Sequence, residues 1–291
     1  MTEMLQLLIY GVVLGGIITL GAIGVSLVFS ILRFAHFAHG DLMTLGAYFA
    51  LAFVAGLGMP LWLALPFAIA GGVLAAVAID ATLYRRLRRT APVILLISSI
   101  GVALVLRSLV QLIWGPATAV YQVGITLPMR IGELRIRPDH LYIVLGTVLL
   151  VALLHLFLQY TRTGKSMRAM ADDPDLAQIS GIDTNRVILW TWAIAAALAV
   201  CGGIFLGMDT RLQPTMGWHL LLAIFAAAIV GGIGRPYGAI AGGMLVGIAS
   251  ELSTAVLSPS YKPAVAFAIM VLALILRPTG LAGGTLSGAR R

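Results

Sequence analysis

Long, unbroken apolar runs constrain the fold of this sequence more than any other feature. Most reach the roughly 20 residues that a helix needs to cross a bilayer, and they are continuous rather than alternating, which favours helices over barrel strands. Only 10% of the residues are charged, against about 25% in a soluble domain, so the chain cannot build a water-exposed surface. The sequence predicts an all-α integral membrane protein with one transmembrane domain over residues 1–291. The runs cover residues 5–32, 42–57, 61–84, 93–114, 141–160, 187–206, 220–234, 239–257 and 264–276.

These runs predict a polytopic bundle of about eight to nine helices, some of them short or broken. The runs at 42–57 and 220–234 are too short for a straight crossing, which indicates tilted, broken or re-entrant elements. Close helix packing is predicted at the three Gly-x-x-x-Gly motifs that begin at Gly11, Gly238 and Gly243.

A helix break is expected where glycine and proline separate the run 220–234 from the run 239–257, in the motif Gly-Gly-Ile-Gly-Arg-Pro-Tyr-Gly. Such an interruption is typical of a discontinuous helix that lines a polar cavity. The glycines of this break are Gly231, Gly232, Gly234 and Gly238.

The basic residues orient the bundle. The motif Tyr-Arg-Arg-Leu-Arg-Arg, which ends at Arg89, places four arginines beside a span and predicts a cytoplasmic connection. If successive connections lie on alternate sides of the membrane, most of the 19 basic residues fall in the cytoplasm, and Arg107 lies inside a span. We therefore expect a multi-pass membrane protein with an outer N-terminus, retained as a first span, and a cytoplasmic C-terminus. The excess of positive charge accordingly indicates topology, and no nucleic acid is expected to bind.

Two connections between the runs are long. Residues 115–139 contain three prolines and are expected to form an irregular outer loop or a short amphipathic piece. Residues 161–186 form a cytoplasmic loop in which Asp173 suits a helix N-cap, Pro174 the first helical position and Gly181 the helix end. Because a helix of about two turns is marginal alone, it either lies against a partner or belongs to a solvated linker.

One polar cluster separates the first two runs, in the motif Phe-Ala-His-Phe-Ala-His-Gly-Asp. It is either a turn at the membrane surface or part of a polar pathway that shapes or gates transport, and its histidines could also be packing residues. Its polar members and glycine are His36, His39, Gly40 and Asp41.

Three further ionisable residues lie in or near the apolar runs. A charge inside a membrane is costly and is therefore a functional candidate, yet each of these also has a structural interpretation. Arg107 could snorkel outward past Trp114, Asp80 has basic neighbours for a local salt bridge, and Glu251 could face another helix.

No arrangement of residues indicates an enzyme. The Gly-Lys-Ser motif at residues 164–166 lacks the glycine that a P-loop needs five residues earlier, where Gln159 stands, and no strand precedes it. No nucleophile elbow or metalloprotease motif occurs. The histidines and aspartate of the polar cluster are too few for a typical zinc site. We expect no bound metal and no cofactor.

Five separated motifs resemble the permease family of branched-chain amino-acid ABC importers, of the first of its two homologous permease types. The polar cluster resembles the family segment Asn-Phe-Ala-His-Gly-Asp/Glu, and the preceding residues 21–29 resemble the end of its first helix. In the cytoplasmic loop, the segments Gly-Lys-Ser-Met-Arg-Ala and Ala-Gln-Ile-Ser-Gly-Ile-Asp resemble the coupling loop of the family. Residues 225–234 and 276–281 match as well, so the resemblance covers nearly the whole chain in the right order.

The resemblance implies the permease subunit of an ATP-driven importer that translocates branched-chain or related small amino acids. It implies three kinds of partner: a second homologous permease, two cytoplasmic ABC ATPases that bind the ATP, and a periplasmic substrate-binding protein. It also implies that the chain lies in the lipid bilayer of a bacterial inner (plasma) membrane, with its outer N-terminus in the periplasm. The short cytoplasmic helix would then be a coupling helix that docks on an ATPase. The residues assigned to coupling are Arg168, Ala169, Asp173, Ala177, Gly181 and Asp183. Those assigned to the pathway or its gate are His36, His39, Gly40, Asp41 and Glu251.

The sequence departs from the family at His36, where asparagine is usual, and at Ala223, where lysine often stands. If either position sets the charge of the pathway, the substrate could be urea, an amide or another small polar solute. Two other classes stay open: a proton-coupled secondary transporter that uses the cluster as a relay, and a passive channel. Co-purification with an ATPase separates an importer from both.

Overall fold

The computed structural model describes residues 2–88, 90–121, 129–131 and 134–283, which form a helical bundle. Within these described residues, eight helices are long and apolar enough to cross a membrane, and a ninth apolar helix is shorter. The prediction of an all-α bundle with eight to nine helices is therefore confirmed. The apolar helices are α1 (Thr2–Leu32), α2 (His39–Leu57), α3 (Leu61–Leu87), α4 (Pro92–Trp114), α5 (Pro138–Tyr160), α8 (Thr184–Asp209), α9 (Met216–Gly231), α10 (Pro236–Leu252) and α11 (Lys262–Leu276).

The remaining elements are short and lie in the long connections. Helices α6 (Arg162–Asp172) and α7 (Pro174–Ile179) form the loop between α5 and α8. Within the loop 115–139, strand β1 (Met129–Ile131) pairs antiparallel with β2 (Leu134–Ile136). The irregular or amphipathic character predicted for residues 122–128, 132 and 133 falls outside the described residues, as do the predicted cytoplasmic arginines 89, 290 and 291.

Helix α1 is the centre of the bundle and is buried along most of its length. Its most extensive neighbour is α10. Gly11 and Gly15 lie against the backbone of Ile248 and Met244, so a Cβ on either glycine would meet α10. Without a strong hydrophobic effect between helices in lipid, such small residues let backbones approach and gain van der Waals contact. The close packing predicted from the Gly-x-x-x-Gly motifs is confirmed here.

Contacts between loops define two ends of the bundle. At the amino-terminal end, which also holds β1 and β2, the imidazole of His140 lies 3.3 Å from the carboxylate of Asp209. At the opposite end, Arg33 donates a 2.7 Å hydrogen bond to the carbonyl oxygen of Ala171 on α6. We call the end with the His140–Asp209 contact the amino-terminal end, and the end with the Arg33–Ala171 contact the α6–α7 end.

The glycine-rich break is a tight turn rather than an interruption within one helix. Residues 232–235 join α9 to α10, and Gly232 and Gly234 have φ angles of 106° and 83°. The backbones of Gly231 and Gly238 touch across this turn, where a side chain on either would collide with the other. The predicted break is therefore present, but the expected discontinuous helix is wrong, because the two helices form a hairpin at the α6–α7 end.

The run at 220–234, predicted to be short or re-entrant, belongs to the short helix α9. Helix α9 has 16 residues, about 24 Å of rise, because the chain leaves α8 at the amino-terminal end and re-enters the bundle through the connection 210–215 before the helix begins. Leu212 in this connection is buried and exchanges backbone hydrogen bonds of 2.9 and 3.0 Å with Ala119. Helix α9 consequently begins within the bundle.

Candidate functional site

The polar cluster begins with a sharp turn at Arg33, whose φ of 57° is unusual for a residue other than glycine. This turn ends α1 and directs the following residues back into the bundle. Phe34 and His36 are buried as a result, and α2 starts at His39 inside the protein. Of the two alternatives for the cluster, the surface turn is wrong.

His36 lies in a group of aromatic side chains near the α6–α7 end. Its Nε2 atom is 3.1 Å from the hydroxyl oxygen of Tyr84, a hydrogen bond between buried groups. Its ring packs edge-on against Trp192 at 4.9 Å, and Tyr84 stacks on the same indole at 5.3 Å. A π-helical turn within α3, Asp80–Tyr84, delivers the tyrosine to this position. Burial, and secondarily the nearby His39, hold the pKa of His36 well below its ordinary value, so the ring is neutral at pH 7.

Gly40 brings the N-terminus of α2 into backbone contact with that of α9. A Cβ on Gly40 would collide with the carbonyl group of Gly217, and the reverse is also true. The amide N–H of Gly217 donates a 3.1 Å hydrogen bond to the hydroxyl of Thr44, one turn into α2. Two helix N-termini, each carrying partial positive charge, therefore meet inside the bundle.

Asp41 lies at this meeting point and forms an ion pair with Arg107 of α4. The Arg107 Nε and Nη2 atoms donate hydrogen bonds of 3.1 and 3.2 Å to the two carboxylate oxygens. The aspartate side chain is only 1% exposed and the arginine side chain 16%. Trp218 of α9 lies over the guanidinium at 4.6 Å from its ring centroid, a cation–π contact.

The interpretation of Arg107 as an outward-snorkelling residue is therefore wrong. Its side chain turns to an acid 66 positions earlier in the chain. A signal for this pair does exist in the sequence: an arginine within one span and an aspartate in another require each other, because an unpaired charge in hydrocarbon is expensive.

Two clefts lie beside α9, the helix whose Trp218 contacts Arg107. A cleft of about 610 Å³ opens at the amino-terminal end between α8 and α9, and its walls include Arg137, Asp209, Arg211, Gln213 and His219. A second cleft of about 350 Å³ lies along the side of α9 and is walled by Phe37, Trp218, His219, Leu222 and Phe225. His219 lines both. A polar entrance thus adjoins an aromatic cleft whose Trp218 covers the Asp41–Arg107 pair.

Glu251 is separate from the polar cluster. It pairs with Lys262 near the amino-terminal end, where α10 gives way to α11. Asp80 pairs locally with Arg88. The structure therefore brings together four of the five residues predicted for the pathway, and their roles in transport stay predictions.

The residues predicted for coupling lie at the α6–α7 end, and two of them are helix caps. The Asp173 side chain accepts 3.0 Å hydrogen bonds from the backbone N–H groups of Asp175 and Leu176, which starts α7 as predicted. Asp183 caps α8 in the same way, and Gly181, with φ of 84°, ends α7 in the predicted place.

The surface of α7 carries two large apolar side chains. Ala177 is buried, while Leu176 and Ile179 are 61% and 84% exposed. Arg168 on α6 is exposed and Ala169 half-buried. The exposed pair Leu176 and Ile179, spaced three apart and therefore on one helix face, is absent from the predicted coupling residues.

Among the residues that the structure describes, no group of three His, Cys, Asp or Glu side chains is placed to hold a metal ion. Cys201 is buried within α8.

Comparisons with known proteins cover almost the whole chain. Residues 7–274 match a family model described as branched-chain amino acid transport system / permease component. The chain is 34% identical to the high-affinity branched-chain amino acid transport system permease protein LivH of Escherichia coli (strain K12), over 96% of this chain and 95% of that protein. It is 33% identical to the corresponding protein BraD of Pseudomonas aeruginosa, with the same coverage. The structure of PsaBC from Streptococcus pneumoniae in complex with Fab shares the fold, with a TM-score of 0.54 and 15% identity over 96% of this chain and 93% of that chain.

Proposed function

The chain belongs to the family of permease components of branched-chain amino acid transport systems, and on this premise we propose what it transports and with which partners. It is the membrane-spanning permease subunit of an ATP-driven importer of branched-chain amino acids. The observation that carries the proposal is the 34% identity to LivH along 96% of the chain. The membership confirms the resemblance that the five motifs indicated.

The proposed orientation places the amino-terminal end in the periplasm and the α6–α7 end in the cytoplasm. The excess of basic residues at the α6–α7 end supports it. A periplasmic binding protein would then deliver substrate to the cleft walled by Arg137, Asp209 and Arg211, which opens at the amino-terminal end. ATP is bound and hydrolysed by the two ATPase partners.

A second permease completes the pathway in this proposal. Trp218 is 40% exposed and, with Leu222 and Phe225, walls a cleft on the side of α9. The guanidinium of Arg107 reaches this side of the bundle. Lipid would solvate such a charge poorly, whereas a homologous subunit facing it would enclose the cleft as a pathway between the two permeases.

Coupling to ATP would run through α7. Leu176 and Ile179 present an apolar edge to the cytoplasm, and Ala177 holds the other side of α7 against the bundle. An ATPase groove that buries these two side chains would transmit its closure to α7. The movement would switch the bundle between outward and inward access.

The test is uptake by the complete importer in proteoliposomes. With ATP available to the ATPases and the binding protein on the opposite side, we expect uptake of labelled leucine, isoleucine and valine. The permease alone should hydrolyse no ATP and accumulate nothing under a proton gradient. Uptake of urea or an amide in preference to leucine would contradict the substrate. Proton-driven accumulation or passive flux by the permease alone would contradict the ATP-driven mechanism.

A further inference from the structure

Two features of the Asp41–Arg107 pair, its burial and its exposure on one side only, are not needed for a purely structural role. Burying two charges costs several kcal/mol each, and well-packed apolar residues usually serve stability as well or better. This pair is also closed on one side only. Asp41 is enclosed by the N-termini of α2 and α9, while Arg107 keeps partial exposure beneath Trp218.

The pair is complementary to a zwitterion. An α-amino acid carries one ammonium and one carboxylate a few bonds apart, which are the counterparts of Asp41 and Arg107. Two N–H groups of the guanidinium donate to Asp41, through Nε and Nη2. Its remaining N–H groups make no hydrogen bond to any described residue, and they leave donors for an incoming carboxylate.

Exchange of partners would keep every charge compensated. A substrate carboxylate takes the guanidinium of Arg107, and the substrate ammonium takes its place at Asp41. A carboxylate without an ammonium would instead leave Asp41 unpaired in a buried site, and an amine without a carboxylate would leave Arg107 unpaired. Both outcomes carry the penalty of an uncompensated buried charge.

The neighbouring cleft suits the rest of the molecule. Phe37, Leu222 and Phe225 form an apolar wall beside Trp218, and Phe37 packs on Phe225 with ring centroids 4.9 Å apart. An aliphatic side chain would lose its water contacts against this wall. His219 also lines the polar cleft of the amino-terminal end, so the two clefts adjoin at this residue, and the inferred route of the substrate runs from the polar cleft to the aromatic one.

From this arrangement we infer that Asp41, Arg107 and the Trp218 cleft form a transient binding site that recognises the zwitterionic backbone of an aliphatic α-amino acid during translocation. The inference rests on the proposed function and deepens it. It assigns Arg107 and Trp218 to substrate recognition, and it replaces the general gating role predicted for Asp41 by the binding of an ammonium group.

The test measures ligand binding to the permease in complex with its permease and ATPase partners in lipid nanodiscs, without the binding protein. Tryptophan fluorescence is titrated with leucine, with 4-methylpentanoate, which lacks the ammonium, and with 3-methylbutylamine, which lacks the carboxylate. Trp218→Phe identifies the signal from the site. In the unmodified complex we expect leucine to bind about 30-fold or more tightly than either analogue.

Reciprocal variants separate recognition from stability. In Asp41→Asn the preference for leucine over 4-methylpentanoate should disappear, and in Arg107→Gln the preference over 3-methylbutylamine should disappear. Arg88→Gln, which breaks the peripheral pair with Asp80, should leave both preferences unchanged. If either single variant fails to fold, the double variant Asp41→Asn/Arg107→Gln is used instead, because it leaves no lone buried charge. The double variant should lose the preference for leucine over both analogues.

Equal weakening of all three ligands in each variant would overturn the inference and assign the pair a structural role. Failure of leucine to bind the unmodified complex would also overturn it. ATP-driven leucine uptake by the same preparation is measured in parallel. Normal uptake with unchanged preferences refutes the recognition site alone, whereas absence of leucine uptake by the unmodified importer refutes the proposed function.

Discussion

At the scale of single residues, the bundle is governed by how it compensates the few charges that it buries. Asp41 meets Arg107, Asp80 meets Arg88 and Glu251 meets Lys262. The first pair is the least exposed, and it joins two helices that are distant in sequence. The imidazole of His36 is neutral and therefore needs no counter-charge. Its Nε2 atom is hydrogen-bonded to the hydroxyl of Tyr84.

Breaking the Asp41–Arg107 pair on one side should destabilise the protein strongly. Arg107→Gln leaves a buried carboxylate without its partner, and we expect a loss of about 3–5 kcal/mol in the free energy of unfolding. The measurement is thermal or denaturant unfolding of the purified protein in detergent micelles. Asp41→Asn/Arg107→Gln should recover part of the loss. A single variant as stable as the parent would contradict the compensation of Asp41 by Arg107.

Two glycines of α2 give a matched comparison of packing. Gly40→Ala would drive a Cβ into the carbonyl of Gly217, and overpacking of this kind costs about 1–3 kcal/mol. At Gly56 no atom lies within 4 Å of a Cβ, so Gly56→Ala should stabilise α2 by up to about 1 kcal/mol. Unfolding measurements on the two variants should shift in opposite directions. Equal shifts would argue against the contact between the starts of α2 and α9.

At the scale of elements, two helices that start inside the bundle organise the site. Helix α2 follows the turn at Arg33, and α9 follows the connection 210–215. Their N-termini meet at Gly40 and Gly217, and Asp41 supplies negative charge where their dipoles converge. Together they hold a polar group in the interior without a break in either helix.

We expect helix α7 to contact an ATPase through the exposed apolar side chains of Leu176 and Ile179. Leu176→Asp and Ile179→Asp remove apolar side chains that the permease itself leaves exposed, so folding and membrane insertion should be normal. If an ATPase buries this edge, uptake and transport-linked ATP hydrolysis by the complete importer should fall at least about tenfold.

The control on the same helix is Gln178→Asp, another exposed position, which should retain most of the transport. If both apolar variants transport normally, α7 is not the coupling contact. If they fail to reach the membrane in normal amounts, the two side chains serve assembly rather than coupling.

At the scale of the whole molecule, a polar cleft opens at the amino-terminal end of the described bundle and helices α6 and α7 lie at the opposite end. The proposed direction of transport requires the first to face the periplasm and the second the cytoplasm. The basic residues in the connections predict this orientation. It can be tested without any knowledge of the substrate.

Cysteine labelling tests the orientation directly. Ser258→Cys lies in the exposed connection between α10 and α11, and Asp175→Cys lies on exposed α7. A membrane-impermeant maleimide should label the first in intact spheroplasts and the second only in inverted vesicles. The parent is a matched background because its single cysteine, Cys201, is buried. The opposite labelling pattern would invert the topology and contradict import in the proposed direction.

Features that depend on neighbouring residues were predictable from the sequence. The apolar runs indicate the number of helices, because hydrophobicity over about 20 residues controls insertion into a bilayer. Asp173, Pro174 and Gly181 bound α7 as expected, because capping is a matter of a few adjacent backbone groups. The Gly-x-x-x-Gly motifs likewise indicated close packing, although not which helix would be the partner.

The composition of the candidate site depends on helix packing and was not predictable in full. Nothing local to Arg107 indicates that Asp41, 66 positions away, would be its partner, since an apolar run carries no information about which helix lies beside it. For the same reason Trp218 was not expected near the pair, and a discontinuous helix was expected where the glycine-rich turn joins α9 to α10. Hydropathy reports that a segment lies in the membrane, whereas the depth at which it starts and the charge it meets there are set by contacts between helices.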